Sequence, residues 1–276
     1  MPVKSFLEVR IEISGEGSDA DLMIARLDGL GFDGFVEEKG AILAYHEISE
    51  GGVDIEDMLR KENIPAASVN IIEDKNWNEA WESDYQSVII GNELMVRAPF
   101  HPAAEDVKYD IIIEPRMAFG TAHHETTEQM LMLISEMDMH SKRVLDMGCG
   151  TAVLAILANK MGAGDVLAID NDEWAYRNSL DNVEMNSATG IEVQEGDAAL
   201  LENKEFDIIF ANINRNILLL DIPVYAAVLA RPGKLLMSGF YTEDLSLIEE
   251  KANASGLRLE STCVKNNWVA AIFVTK

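Results

Sequence analysis

The chain has 276 residues, 48% of them hydrophobic, enough for a sizeable core arranged as two domains or one large one. Its 48 acidic against 22 basic residues leave a formal net charge of −26; acidity of this kind serves solubility, repels phosphate backbones and attracts basic partners, so direct nucleic-acid binding is not expected. Two cysteines, Cys149 and Cys263, without a CxxC pair, support neither a disulfide framework nor a zinc site.

No apolar run reaches the length of a membrane span, and the first residues alternate like a strand instead of a signal peptide, so the expected location is the cytoplasm, with no membrane contact. Ser5 to Ser14 alternates as a strand. Ser18 and Asp19 cap a helix from about Ala20 to Leu30, which Gly31 closes. Strands follow at Gly34 to Glu38 and Ala41 to His46, then a helix at Ile55 to Glu62 and a strand at Ser68 to Glu73. This order, strand, helix, strand, strand, helix, strand, predicts a small ferredoxin-like α+β domain over residues 1–75. That stretch carries 7 Lys or Arg against 17 Asp or Glu and no catalytic constellation, which suggests a recognition module.

Residues 76–104 read as a linker: NWNEAWESDY as a short helix with Trp77 and Trp81 on one face, then a hairpin of Ser87 to Ile90 and Leu94 to Ala98, then Phe100 between two prolines. The rest, 105–276, alternates as an α/β domain. DIIIEPRMAFGTAHHETT leads from an extended triplet into a polar loop that could fold over a ligand, and Thr126 with Gln129 has capping-box spacing. Thr127 stands where its hydroxyl could reach the following turn. Adjacent His123 and His124 lack matching acids, so no metal is expected.

Next comes RVLDMGCGTA, Arg143 to Ala152: an apolar strand, a glycine turn and the start of a helix, with a second strand carrying Asp170 beyond it. Gly148 and Gly150 suit close backbone approach to a ligand, and Asp170 suits ribose hydroxyls. Val153 stands where a dinucleotide fingerprint needs a third glycine, so the alternate-position spacing fits S-adenosylmethionine (AdoMet) better than a pyrophosphate. A bare strand-to-helix turn is the plain alternative. Cys149, between the two glycines, reads as structural.

Strands then fall at Asp165 to Asp170, Ile191 to Glu195, Phe206 to Ala211, Lys234 to Ser238, Leu257 to Val264 and Trp268 to Thr275, with helices at Glu173 to Met185, about Asn216 to Leu229, and Glu243 to Ser255. With Arg143 to Met147 that makes seven strands, the last two joined as an antiparallel hairpin: a doubly wound sheet. Asn212 follows the strand FDIIFA into the ligand crevice, where its carbonyl can accept from an amine; a helix cap is the alternative. Asp197, after the third strand, suits an adenine edge.

Together EPRMAFGTAHHETT, VLDMGCGTAVLAI, AIDND and FDIIFANI resemble the ribosomal protein L11 methyltransferase (PrmA) family, and the resemblance covers essentially the whole chain. It implies a Rossmann-like methyltransferase domain binding AdoMet through Thr127, Gly148, Asp170 and Asn212, with Asn212 and the backbone of Ile213 bordering the methyl group and the incoming nitrogen. It implies lysine or N-terminal amines of L11 as acceptors and an N-terminal domain that grips the protein substrate. Phe100 or Phe119 would wall the amine. The chain departs from the family pattern in GTAHHETT, where GTGTHPTT is usual, and at Ala152, where glycine is usual. Rival readings are a methyltransferase acting on amides or small-molecule nitrogens, and a non-enzymatic AdoMet-binding protein.

Overall fold

The computed structural model describes residues 5–13, 23–24, 26–32, 34–38, 40–47, 55–73, 85–91, 93–104, 106–115 and 119–276. The helix expected in NWNEAWESDY and the caps Ser18 and Asp19 lie outside them. By packing, the chain forms two units, Met1–Tyr85 and Gln86–Lys276.

In the first unit, strands β1 (Ser5–Glu12), β2 (Gly34–Glu38), β3 (Ala41–Glu47) and β4 (Ala66–Glu73) form one sheet in the order β2-β3-β1-β4, every pairing antiparallel. Strand β3 therefore lies between β1 and β2, which run the same way: a split β-α-β arrangement. The alternation of β1 sends Val9 and Ile11 into a core with Leu27, Ile55, Leu59 and Ile64, where residues 26–28 and α1 (Ile55–Lys61) supply the helical side.

The second unit opens with a three-stranded sheet of β5 (Val88–Ile90), β6 (Leu94–Arg97) and β7 (Tyr109–Ile112), the last parallel to β6. Arg97, 8% exposed, donates to both carboxylate oxygens of Asp110 at 2.8–3.0 Å and to the His101 carbonyl at 3.0 Å. Such a forked pair fixes β6 against β7.

The larger sheet contains β8 (Arg143–Met147), β9 (Asp165–Asp170), β10 (Ile191–Glu195), β11 (Phe206–Asn212), β12 (Leu229–Tyr241), β13 (Leu257–Lys265) and β14 (Trp268–Thr275), in the order β10-β9-β8-β11-β12-β14-β13. Strand β14 alone runs against the other six, inserted between β12 and β13. The seven-stranded, doubly wound arrangement is the expected one. Strand residues alternate between two cores: Val144, Ile208 and Phe210 join α2 (Glu125–Ser135) and α3 (Val153–Lys160), while Leu145, Ile209 and Ala211 join α5 (Arg215–Val228) and α6 (Leu245–Ala254). Burial on both faces explains why these strands read as continuous apolar runs. Helix α4 (Glu173–Met185) follows β9. The order reverses at β8, between β9 and β11, so the carboxyl ends of those strands open onto the switch-point crevice.

Most boundaries shift by three residues or fewer, and two of the differences have a clear local cause. Strand β12 begins at Leu229, not Lys234, because Arg231-Pro232-Gly233 is carried into the strand although it reads as a turn. Helix α2 is capped by His124 instead of Thr126.

Candidate active site at the carboxyl edge of the sheet

The glycine turn is built by convergence on one carbonyl: the Gly148 and Cys149 N–H groups both donate to Ile169 O, at 2.8 and 3.0 Å. Gly148 has φ +69°, and a Cβ there would lie 2.2 Å from Ile213 Cγ2; Gly150 has φ +55°, and its Cβ would lie 2.2 Å from Phe119 O. Both positions thus need glycine for left-handed backbone and for close approach by the chain itself. Asp170 clamps the turn, accepting from Gly150 N at 2.8 Å and from Asp172 N at 3.0 Å. Each of its oxygens keeps lone-pair capacity for further donors.

Beneath the turn, Asp146 is buried and accepts from Ala155 N at 3.1 Å. That bond satisfies one of the open N–H groups of α3, whose own cap, Ala152, has no side-chain acceptor. Burial, aided by the Asp170 charge, pushes the Asp146 carboxyl up to about 7, against the pull of the Ala155 N–H. Burial likewise raises the Cys149 thiol, keeping it protonated and unsuited to nucleophilic work.

The preceding loop is tied down onto the turn. Thr151 N donates to Phe119 O (3.0 Å), and Thr151 Oγ1 donates to Gly120 O (2.7 Å). The two histidines serve separate ends: His123 Nε2 meets Gln86 O at 2.9 Å, while His124 Nδ1 accepts from Thr126 N and meets Thr126 Oγ1 at 2.8 Å. The His124 ring stands between Phe119 and Trp268, with centroids 5.1 and 4.9 Å away, and Trp268 lies 4.1 Å from Tyr241. An aromatic row thus runs from the glycine turn along the carboxyl edge.

Asn212 ends β11. Its Nδ2 donates to Thr127 Oγ1 at 3.3 Å, while its Oδ1 is buried without a hydrogen-bond partner. Among the described residues one other side-chain oxygen shares that condition, Gln129 Oε1, whose amide donates to Trp268 O at 3.2 Å. The structure therefore gathers Thr127, Gly148, Gly150, Asp170, Asn212 and Ile213 about one crevice. Asp197 belongs to the next strand end: Gly196 N donates to Asp170 O at 2.9 Å, and the exposed Asp197 accepts from Ala199 N at 2.9 Å. Phe100 lies in the turn after β6, edge-on to His101. The sequence reading missed Asp146, Thr151 and Gln129; only the acid ending the apolar run VLD hinted at the first.

The family model for ribosomal protein L11 methyltransferase (PrmA) matches residues 27–276. The chain belongs to this family. A ribosomal protein L11 methyltransferase of Porphyromonas gingivalis is 45% identical over 260 residues, covering 92% of this chain and 90% of its own. One from Phocaeicola vulgatus is 44% identical over 266 residues, covering 93% and 94%. The crystal structure of a ribosomal protein L11 methylase from Lactobacillus delbrueckii subsp. bulgaricus superposes with a TM-score of 0.64 at 27% identity, covering 70% of this chain and all of that one.

Both departures from the PrmA pattern place alanine on left-handed backbone. Ala122 has φ +67° and Ala152 φ +62°, and both are buried. At Ala152 the turn geometry survives: its N–H donates to Cys149 O at 2.8 Å and its carbonyl accepts from Ile156 N at 2.9 Å.

Proposed function

We propose that this protein transfers methyl groups from AdoMet to amine nitrogens of ribosomal protein L11, on lysine side chains, the N-terminus or both. The observation that carries this reading is the buried, unpartnered Asn212 Oδ1 at the switch-point crevice. A buried carbonyl without a donor costs stability, so a ligand N–H is its natural partner.

The residues fit AdoMet. Asp170 has acceptor capacity for ribose hydroxyls, Asp197 stands on the neighbouring strand end for the adenine edge, and Thr127 with Asn212 closes the crevice beside the Gly148–Gly150 turn. When bound, AdoMet supplies an electrophilic methyl group on a sulfonium. The chain must then align the amine and keep it neutral. Asn212 Oδ1 accepts one amine N–H, which turns the nitrogen lone pair away from the carbonyl and towards the crevice. Of the two candidate walls, Phe100 and Phe119, the second is favoured, because Thr151 fixes its carbonyl beside the glycine turn. Exclusion of water by such walls lowers an amine pKa from about 10.4 towards the free base, and the proton released after transfer passes to solvent, so no dedicated base is needed. The N-terminal unit holds the basic protein substrate, and a ribosomal substrate places the reaction in the cytoplasm.

The direct test is Asn212→Ala. At AdoMet concentrations that saturate the variant, as checked by calorimetry, L11 methylation should fall by about a hundredfold, as misplaced reactants do. Full turnover in this variant would overturn the assignment.

A further inference from the structure

Helix α4 presents an asparagine every fourth residue: Asn178, Asn182 and, at its C-cap, Asn186. Asn186 brackets Ile112, accepting from its N–H at 3.0 Å and donating to its carbonyl at 2.6 Å. Asn182 Oδ1 accepts from Glu114 N at 2.9 Å, and Asn178 Nδ2 donates to Glu114 O at 3.4 Å. Four helical residues rise about 6 Å and two strand residues about 6.6 Å, so this spacing matches alternate residues of the chain leaving β7. Its other edge is already bonded to β6, where Ile113 N donates to Arg97 O at 2.8 Å.

An edge cap needs bonds to the strand only. Asn182 has a further one, because its Nδ2 donates to Thr151 O at 3.0 Å as well as to Asn178 Oδ1 at 3.2 Å. Asn182 and Thr151 are both fully buried. Thr151 follows the glycine turn, and its N–H and hydroxyl hold Phe119 O and Gly120 O. Glu114 and Phe119–Gly120, one on each side of the closing loop, are thus tied through Asn182 and Thr151 to each other and to the turn. The fit is close: a Cβ at Gly120 would lie 2.6 Å from Thr151 Oγ1. Resting on the reading of this crevice as the AdoMet site, we propose that Asn182 is a positioning residue for AdoMet, acting through Thr151 to fix the closing loop against the Gly148–Gly150 turn.

The test measures AdoMet affinity by calorimetry on the full-length enzyme carrying Asn182→Ala, Thr151→Val, both together, or Asn186→Ala, at a temperature where circular dichroism shows every variant folded. Asn182→Ala should weaken AdoMet by about tenfold and Thr151→Val several-fold, and the double variant should fall well short of the product of the two, because residues in one hydrogen-bonded chain are coupled. Asn186→Ala loses the Ile112 bonds but none to Thr151, so it should lower the melting midpoint and leave affinity within about twofold of wild type. Unchanged affinity in Asn182→Ala, losses that multiply, or an equal loss in Asn186→Ala would each overturn the proposal. If Asn182→Ala does not fold, Asn178→Ala, which removes the neighbouring acceptor of the Asn182 amide, carries the same test: a loss coupled to Thr151→Val upholds the role, and an independent loss or none overturns it. Coupled losses in an enzyme that methylates no L11 would uphold the role of Asn182 and refute the functional reading; a wild type that does not bind AdoMet would refute both.

Discussion

Asn212 and the two left-handed alanines set stability against activity at single residues. The Asn212 Oδ1 orphan costs about 1–3 kcal/mol of desolvation, while its Thr127 bond returns about 1. Asn212→Ala should therefore unfold at a urea midpoint no lower than wild type while losing turnover; a large loss of stability would mark the residue as structural. At Ala122 and Ala152 left-handed backbone costs about 1–2 kcal/mol, and glycine returns that strain less about 0.4–1 kcal/mol of added freedom in the unfolded chain. Ala122→Gly and Ala152→Gly should each raise the unfolding midpoint modestly. A fall in either would show that the backbone there is not strained.

Among elements, α3 is held by an acid from the strand before it, and this makes its anchoring depend on pH. The Asp146 carboxyl sits at about 7 in the folded protein against 3.8 ordinarily. A raised carboxyl pKa means the native state holds its proton where the unfolded chain has lost it. Stability from this group therefore declines as pH rises from about 4 to about 7 and stays low above. Asp146→Asn keeps an acceptor for Ala155 N and removes the titration, so its stability relative to wild type should climb across that window and level off beyond it. Parallel stability–pH curves would contradict this. The closing loop is a second such element: Thr151→Val removes the bond to Gly120 O, and AdoMet affinity should weaken several-fold, read by calorimetry, with the melting curve little changed; equal affinity would mean that the loop is held otherwise.

The sequence showed those elements whose signals are local. Strand β9 and helix α4 have the expected limits because an apolar run ends at Asp170 and Asp172 caps the helix, accepting from Ala175 N at 2.9 Å. The start of β12 was hidden because Pro232 and Gly233 signal a turn, and the register with β11 does break there: Leu229 pairs with Phe206, and regular pairing resumes only at Lys234. His124 escaped notice as a cap because histidine is outside the usual set and two threonines follow it. At the site, the glycines, Asp170 and Asn212 stood out through spacing. The Thr151–Gly120 clasp joins residues 31 apart, and Asp146 reaches its helix across the turn, so neither leaves a local pattern.

For the whole molecule, the proposed function pairs a net charge of −26 with a lysine-bearing protein substrate, so electrostatic capture is expected. Raising salt should increase KM for L11 severalfold while AdoMet affinity stays nearly constant; parallel changes in both would remove substrate steering from the account. The central claim is tested most directly by incubating the enzyme and AdoMet with purified L11 and, separately, with total ribosomal proteins, then reading intact masses. Mass gains in whole methyl steps on L11 alone, absent with Asn212→Ala, are expected. Methylation of another ribosomal protein, or none on L11 while AdoMet binds, would contradict it.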